Sequence, residues 1–75
     1  MMTTKYIIEM EHHRINDTDL YYYKGQVDDV PTFDSRKRTA KRYDFEYEAI
    51  RDMVILQSIH RKLDTFRVIP VRCRG

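Results

Sequence analysis

Two glycines, two prolines, one cysteine and no apolar run longer than the four residues Met53 to Leu56 bound what this 75-residue chain can be. A lone thiol, Cys73, has no internal partner, which removes the small disulfide-stapled secreted scaffolds and points to a reducing cytoplasm. Four apolar residues in a row fall far short of the ~20 that a membrane-spanning helix needs. The N-terminus lacks the charged segment and apolar run of a signal peptide, so a soluble protein with no membrane partner is expected. With Gly25 and Gly75 the only glycines, no glycine-rich phosphate loop exists.

Candidates for chemistry are equally sparse. A metal site needs three or four convergent ligands, and the histidines are only His12, His13 and His60, with Cys73 far away in sequence. His12 and His13 are adjacent and point in different directions, as surface loop residues would. His60 falls on the inner side of a helix as a hydrogen-bonded residue rather than a ligand. Ser58 and His60 lie two apart on that helix, where side chains do not face each other, so no nucleophile stands beside a base. The expectation is a protein that is not an enzyme, with no cofactor and no metal.

What is present is charge. Charged residues make up 35% of the chain and hydrophobic ones 41%, a globular balance rather than a disordered one. One domain, residues 1–75, is expected, at a size where homodimerisation is an open route to extra stability. The net charge of +2 conceals polarity: residues 1–30 hold three basic and six acidic residues, whereas residues 31–75 hold eleven basic and six acidic. The densest part is Arg36-Lys37-Arg38 and Lys41-Arg42, five cations in seven positions. Arg67, Arg72 and Arg74 add to it if the last strand runs nearby. Such a block suits phosphates, with Tyr21, Tyr23 and Tyr43 free to stack on bases, or an acidic protein surface, where tyrosine and arginine are also enriched. A solvated edge strand or loop is the plain alternative.

The periodicities give the architecture. Lys5–Glu11 reads as a strand with Tyr6, Ile8 and Met10 on one side; Ile7 leaves the other side not fully polar. Residues His12–Asp19 read as a somewhat long hairpin loop. Leu20–Val27 is aromatic-rich and strand-like, placing Tyr21 and Tyr23 on one face and Leu20 and Tyr22 on the other, with at least one tyrosine pair at the surface. Gly25 marks a bulge or bend, and Asp28, Asp29 and Pro31 end the segment. Residues 36–43 read as an edge strand, a loop or the start of a longer helix capped by Ser35. An N-cap at Asp44 favours a shorter helix from Phe45 to Leu63, with Ala49, Ile50, Met53 and Leu56 on its buried face, Val54 and Ile59 flanking, and Arg61 and Lys62 in its last turn. Phe66 and Val68, with Val71, alternate with Arg67 and Arg72 in a final strand interrupted by Pro70. The whole is a two-layer α+β domain, an antiparallel sheet of three to four strands with one helix on one face, in the order ββ(β)αβ.

The stretches Pro31-Thr32-Phe33, Ala40-Lys41-Arg42-Tyr43-Asp44 and Glu48-Ala49 resemble the small accessory proteins of bacteriophages and prophages of Gram-positive bacteria. That resemblance implies a hairpin, an Ala-Lys-Arg-aromatic stretch, a helix and a closing strand. It implies a niche, a modulator that binds a host or phage protein, including inhibitors of host defence or replication factors, and it transfers no catalytic residue. The first expectation for function is such an interaction protein, binding through Tyr21, Tyr23 and the block Arg36, Lys37, Arg38, Lys41 and Arg42. The alternative is a small nucleic-acid-binding accessory protein that uses the basic block on phosphates.

Overall fold

Residues 6–10 are apolar on one side, and Ile7 makes the other side partly so, which suits a strand covered on both faces and therefore central to its sheet. The computed structural model, which describes residues 2–60 and 64–74, places this stretch accordingly. The strands are β1 (Met2–Arg14), β2 (Asp17–Val27), β3 (Val30–Asp34) and β4 (Asp64–Arg74), with one helix, α1 (Glu46–Ile59), between β3 and β4. All pairings are antiparallel in the order β3-β2-β1-β4, so the domain is α+β with the helix on one sheet face. β1 pairs along nearly its whole length with β4, from Met2 opposite Arg74 to His12 opposite Asp64.

Local chemistry explains where the strands end. β1 and β2 run on through the expected loop to a two-residue turn at Ile15-Asn16, because Arg14 opposite Asp17 and His12 opposite Asp19 continue the ladder. Polar residues do not prevent pairing where a strand end is exposed. Asp28 and Asp29 have φ of 51° and 64°, two successive left-handed residues that close the tight β2–β3 turn between Val27 and Val30. A two-residue loop of this hand matches the twist of the strands it joins, and aspartate tolerates that conformation better than most residues. The third strand is therefore Val30–Asp34 rather than residues 36–43, and Pro31 lies inside it instead of ending its predecessor.

Both sheet edges carry a proline, and in each case its nitrogen faces outward. Tyr6 uses its N–H and C=O on Tyr43, on the side away from β4, so Pro70 opposite Tyr6 turns its own nitrogen to the free edge. Pro31 sits one residue beyond the hydrogen-bonded Val27–Val30 pair and is turned outward for the same reason. Neither proline costs a ladder bond, which is why β4 continues through Pro70 without interruption.

The helix is shorter and differently capped than its sequence signals indicate. Phe45, not Asp44, occupies the cap position and makes no side-chain cap bond, since the Asp44 carboxylate pairs with the Lys5 ammonium. Ala49 and Leu56 are buried and Met53 half-buried, whereas Ile50 joins Val54, Ile55 and Ile59 among the exposed residues. Residues 61–63, and with them the expected last turn at Arg61 and Lys62, lie outside the described residues. Ala49 and Leu56 close a core of Ile8, Met10, Tyr23, Tyr43 and Phe66 beneath the helix. Ile7, Tyr22 and Ala40 form a second, smaller cluster on the opposite face.

Candidate functional site

The basic block is neither an edge strand nor a helix; it fills a fork. β1 and β2 stay paired only from Arg14–Asp17 to Glu9–Tyr22, after which an irregularity between Tyr23 and Gly25, with Gly25 at φ +114°, carries β2 away. Only glycine takes that φ without strain. Into the gap comes the segment after β3. A short 3-10 turn at Lys37–Thr39 leads to Lys41, whose N–H donates to the Tyr23 carbonyl at 2.8 Å, and to Tyr43, which exchanges two backbone bonds with Tyr6 at 2.8 and 2.9 Å. Because these residues are extended, their side chains alternate. Tyr43 joins the core under the helix and Ala40 joins Ile7 and Tyr22 on the other face.

That alternation disperses the five cations. Arg36 is held by Asp34, through its Nη2 at 3.1 Å from Oδ2 and its Nε at 3.2 Å from Oδ1. The guanidinium bond, with a backbone bond from Arg36, brings the Asp34 carboxyl down to about 2 and raises Arg36. Lys41 turns to the helix face, its Nζ 5.0 Å from the centre of the Tyr43 ring, where it lines a cleft of about 340 Å³ with Tyr23, Gln26 and Asp52. Lys37, Arg38 and Arg42 line a pocket of about 490 Å³ on the opposite face, walled on its far side by β4; there Val71 and Cys73 face the pocket, and Arg72, between them, turns its side chain to the helix face. Its apolar wall is Ile7, Val71 and Cys73. Among the described residues none of these three cations, Lys37, Arg38 and Arg42, has a carboxylate within ion-pair distance. The nearby carboxylates are already engaged, with Asp44 on Lys5 and Glu9 on Arg67, whose Nε donates at 2.6 Å. Three uncompensated cations around a concave apolar surface concentrate a positive potential there.

Three of the seven expected binding residues therefore come together, Lys37, Arg38 and Arg42, while Arg36 and Lys41 are committed elsewhere. Tyr21 and Tyr23 need correction. They lie on the face that α1 covers: Tyr23 is only 4% exposed, and Tyr21 packs half-buried against the same core. Burial, then the nearby Asp52 carboxylate, pushes the Tyr23 phenol up, and burial followed by Glu9 does the same to Tyr22. The Tyr21–Tyr23 pair offers no free face because the helix covers it, and Tyr22 on the other side is buried beside Ala40. Ile7 and Val71 are the residues that the sequence reading did not place at the site; Arg72, which it added to the block if the last strand ran nearby, lies on β4 beside the pocket. Ile7 carried a signal, being the apolar residue on the supposedly polar side of β1.

Elsewhere, His12 and His60 both address Asp64, with Nδ1 atoms 2.6 and 3.4 Å from its two oxygens, and the His60 ring packs edge-on against Phe33 and Phe66. His13 turns the other way, toward Glu11 and Thr65. Among the described residues no group of three or more histidine, cysteine or acidic side chains is arranged to hold a metal ion. No described helix is long and apolar enough to cross a membrane. No protein-family model matches the chain, and no match is found among curated proteins or solved structures.

Proposed function

We propose that this chain is a non-enzymatic interaction protein that grips an acidic segment of a partner protein in the pocket lined by Lys37, Arg38 and Arg42. The observation that carries this reading is the pairing of three uncompensated cations with an apolar wall of Ile7, Val71 and Cys73. A protein segment uses both parts: an apolar side chain fills the concave centre and flanking carboxylates meet the rim, the layout in which interface anchors are most effective. Nucleic acid uses only the rim. No aromatic ring lines the pocket to stack on a base, so the nucleic-acid alternative rests on charge alone. In keeping with the resemblance to phage accessory proteins, the partner is a host or phage protein of the bacterial cytoplasm, and its modulation is the biological output.

The test compares wild-type protein with an Arg38→Glu, Arg42→Glu double variant in capture from host lysate, alongside anisotropy titrations of labelled duplex and single-stranded nucleic acid. A specific protein retained by the wild type and lost with the variant supports the reading. Micromolar duplex binding that persists at physiological salt, with a slope near 0.9 per phosphate contacted, would replace it with the nucleic-acid alternative. Capture of the same partner by the double variant would remove the pocket from consideration.

A further inference from the structure

α1 carries apolar side chains well beyond the side that the sheet covers. Turned away from the core are Tyr47, Ile50 and Val54, exposed by 66, 39 and 56%, with Phe45 stacked on Tyr47 at 5.7 Å between ring centres. A helix that is apolar on most of its circumference is characteristic of one buried all round. The spacing, three residues and then four, is that of an a, d, a seam by which helices pair. With Tyr47 and Val54 at a and Ile50 at d, Glu46 takes the g position and Arg51 the e position five residues later. Those two positions meet across a parallel two-stranded pair and set its partner and orientation. Both side chains are exposed, and the carboxylate nearest to Arg51 among the described residues is Asp52, at the 4.0 Å limit and already accepting from the Tyr43 hydroxyl at 2.7 Å.

We propose that α1 pairs in parallel with α1 of a second copy of this chain, with Tyr47, Ile50 and Val54 along the seam and Glu46 of each copy against Arg51 of the other. The seam is self-complementary under a two-fold axis, and both charge pairs form at once. The sheet offers no competing route, since each edge presents an outward proline nitrogen where a pairing strand needs a donor. The exposed apolar surface on one copy is on the order of several hundred Å², below the roughly 800 Å² per partner of a standard interface, so association is weak and concentration-dependent. Aligned macrodipoles push in the same direction. This inference is independent of the basic pocket, which lies on the other sheet face.

Sedimentation equilibrium of the full chain between about 10 and about 500 µM covers the range in which an interface of this size associates. The expected result is a monomer–dimer equilibrium for the wild type and a monomer throughout for Val54→Glu. Val54 is exposed in the single chain, so its helical circular dichroism stays unchanged; if it does not, Tyr47→Ser reads the same seam. Arg51→Glu, which sets Glu46 against a like charge, weakens pairing by about tenfold, and adding Glu46→Arg restores it. A wild type that stays monomeric at the highest concentration overturns the proposal, as does a seam variant that dimerises like the wild type. Failure of the double charge swap to recover pairing overturns the parallel arrangement.

Discussion

The two faces of this sheet are made of alternate residues of the same strands and are closed in different ways. Under α1, Ile8, Met10, Tyr23 and Phe66 meet Ala49 and Leu56 in a continuous core. On the other face only Ile7, Tyr22 and Ala40 are buried together, beside the Glu9–Arg67 pair, and the remaining surface opens into the basic pocket. A complete helix seals the first face and a four-residue segment partly covers the second. The difference teaches a division of labour: the closed face supplies stability, and the half-closed one leaves charge uncompensated where a partner can reach it. Residues 40–43 tie the two together, since Ala40 and Tyr43 anchor one backbone segment on opposite sides.

The sharpest way to break the comparison is to make the same kind of cavity on each face. Leu56 is 2% exposed and Ile7 is 1% exposed, so both truncations to alanine remove fully buried atoms. Leu56→Ala is expected to cost about 3 to 5 kcal/mol in urea unfolding, because the helix and sheet around it relax little. Ile7→Ala should cost about 2 kcal/mol, since the thin Ala40 segment can collapse onto the gap. For a domain whose whole stability is on the order of 5 to 10 kcal/mol, the first change removes a large share of it. Equal losses at the two positions would show that the pocket face is as much a core as the other.

A smaller effect is expected where the fork-filling segment meets the helix. Tyr43 donates its hydroxyl to Asp52 Oδ2 at 2.7 Å, and burial, then this carboxylate, raises its phenol well above the usual range. Tyr43→Phe keeps the ring in the core and removes only the donor, so a loss of about 1 to 2 kcal/mol is expected, with the sheet register unchanged. A neutral result would mean that water replaces the donor at Asp52, whose side chain is 26% exposed.

Much of this organisation could be read from residue order, and the failures have physical causes. The α+β class, the alternation of Tyr6, Ile8 and Met10 and the inward Ala49 and Leu56 follow from periodicity, which burial enforces. The helix cap did not, because the Asp44 carboxylate is taken up by Lys5, brought from 39 residues away by the insertion of the fork segment. Residues 36–43 resisted assignment because their position depends on a bulge at Gly25 in another strand. The pocket was half legible: the cations were plain as a block, but which of them would be neutralised depended on Asp34, and the apolar wall depended on β4 lying beside β1. The tyrosines misled because β propensity marks strands without saying which face a helix will cover.

A partly buried polar cluster on the helix face sharpens the comparison further. Asp64 is 10% exposed at its side chain and lies between the Nδ1 atoms of His12 and His60. Burial alone would raise its carboxyl, but the bonds to the two imidazoles outweigh burial and hold it below the ordinary value. A carboxyl depressed in the folded state binds fewer protons there than in the unfolded chain, so its contribution is present above the unfolded value of about 3.9 and is lost as pH falls through the folded one. The urea midpoint should therefore drop below about pH 4. Asp34, held down by Arg36 on the exposed β3 edge, acts with the same sign. The two separate by screening, because salt weakens an exposed pair far more than a buried one. At high salt Asp34→Asn should leave the acid limb of the stability curve as it is, whereas Asp64→Asn should flatten it. An unchanged limb in the Asp64 variant would mean that the histidines do not hold that carboxylate in solution, and that the helix face is closed by apolar packing alone.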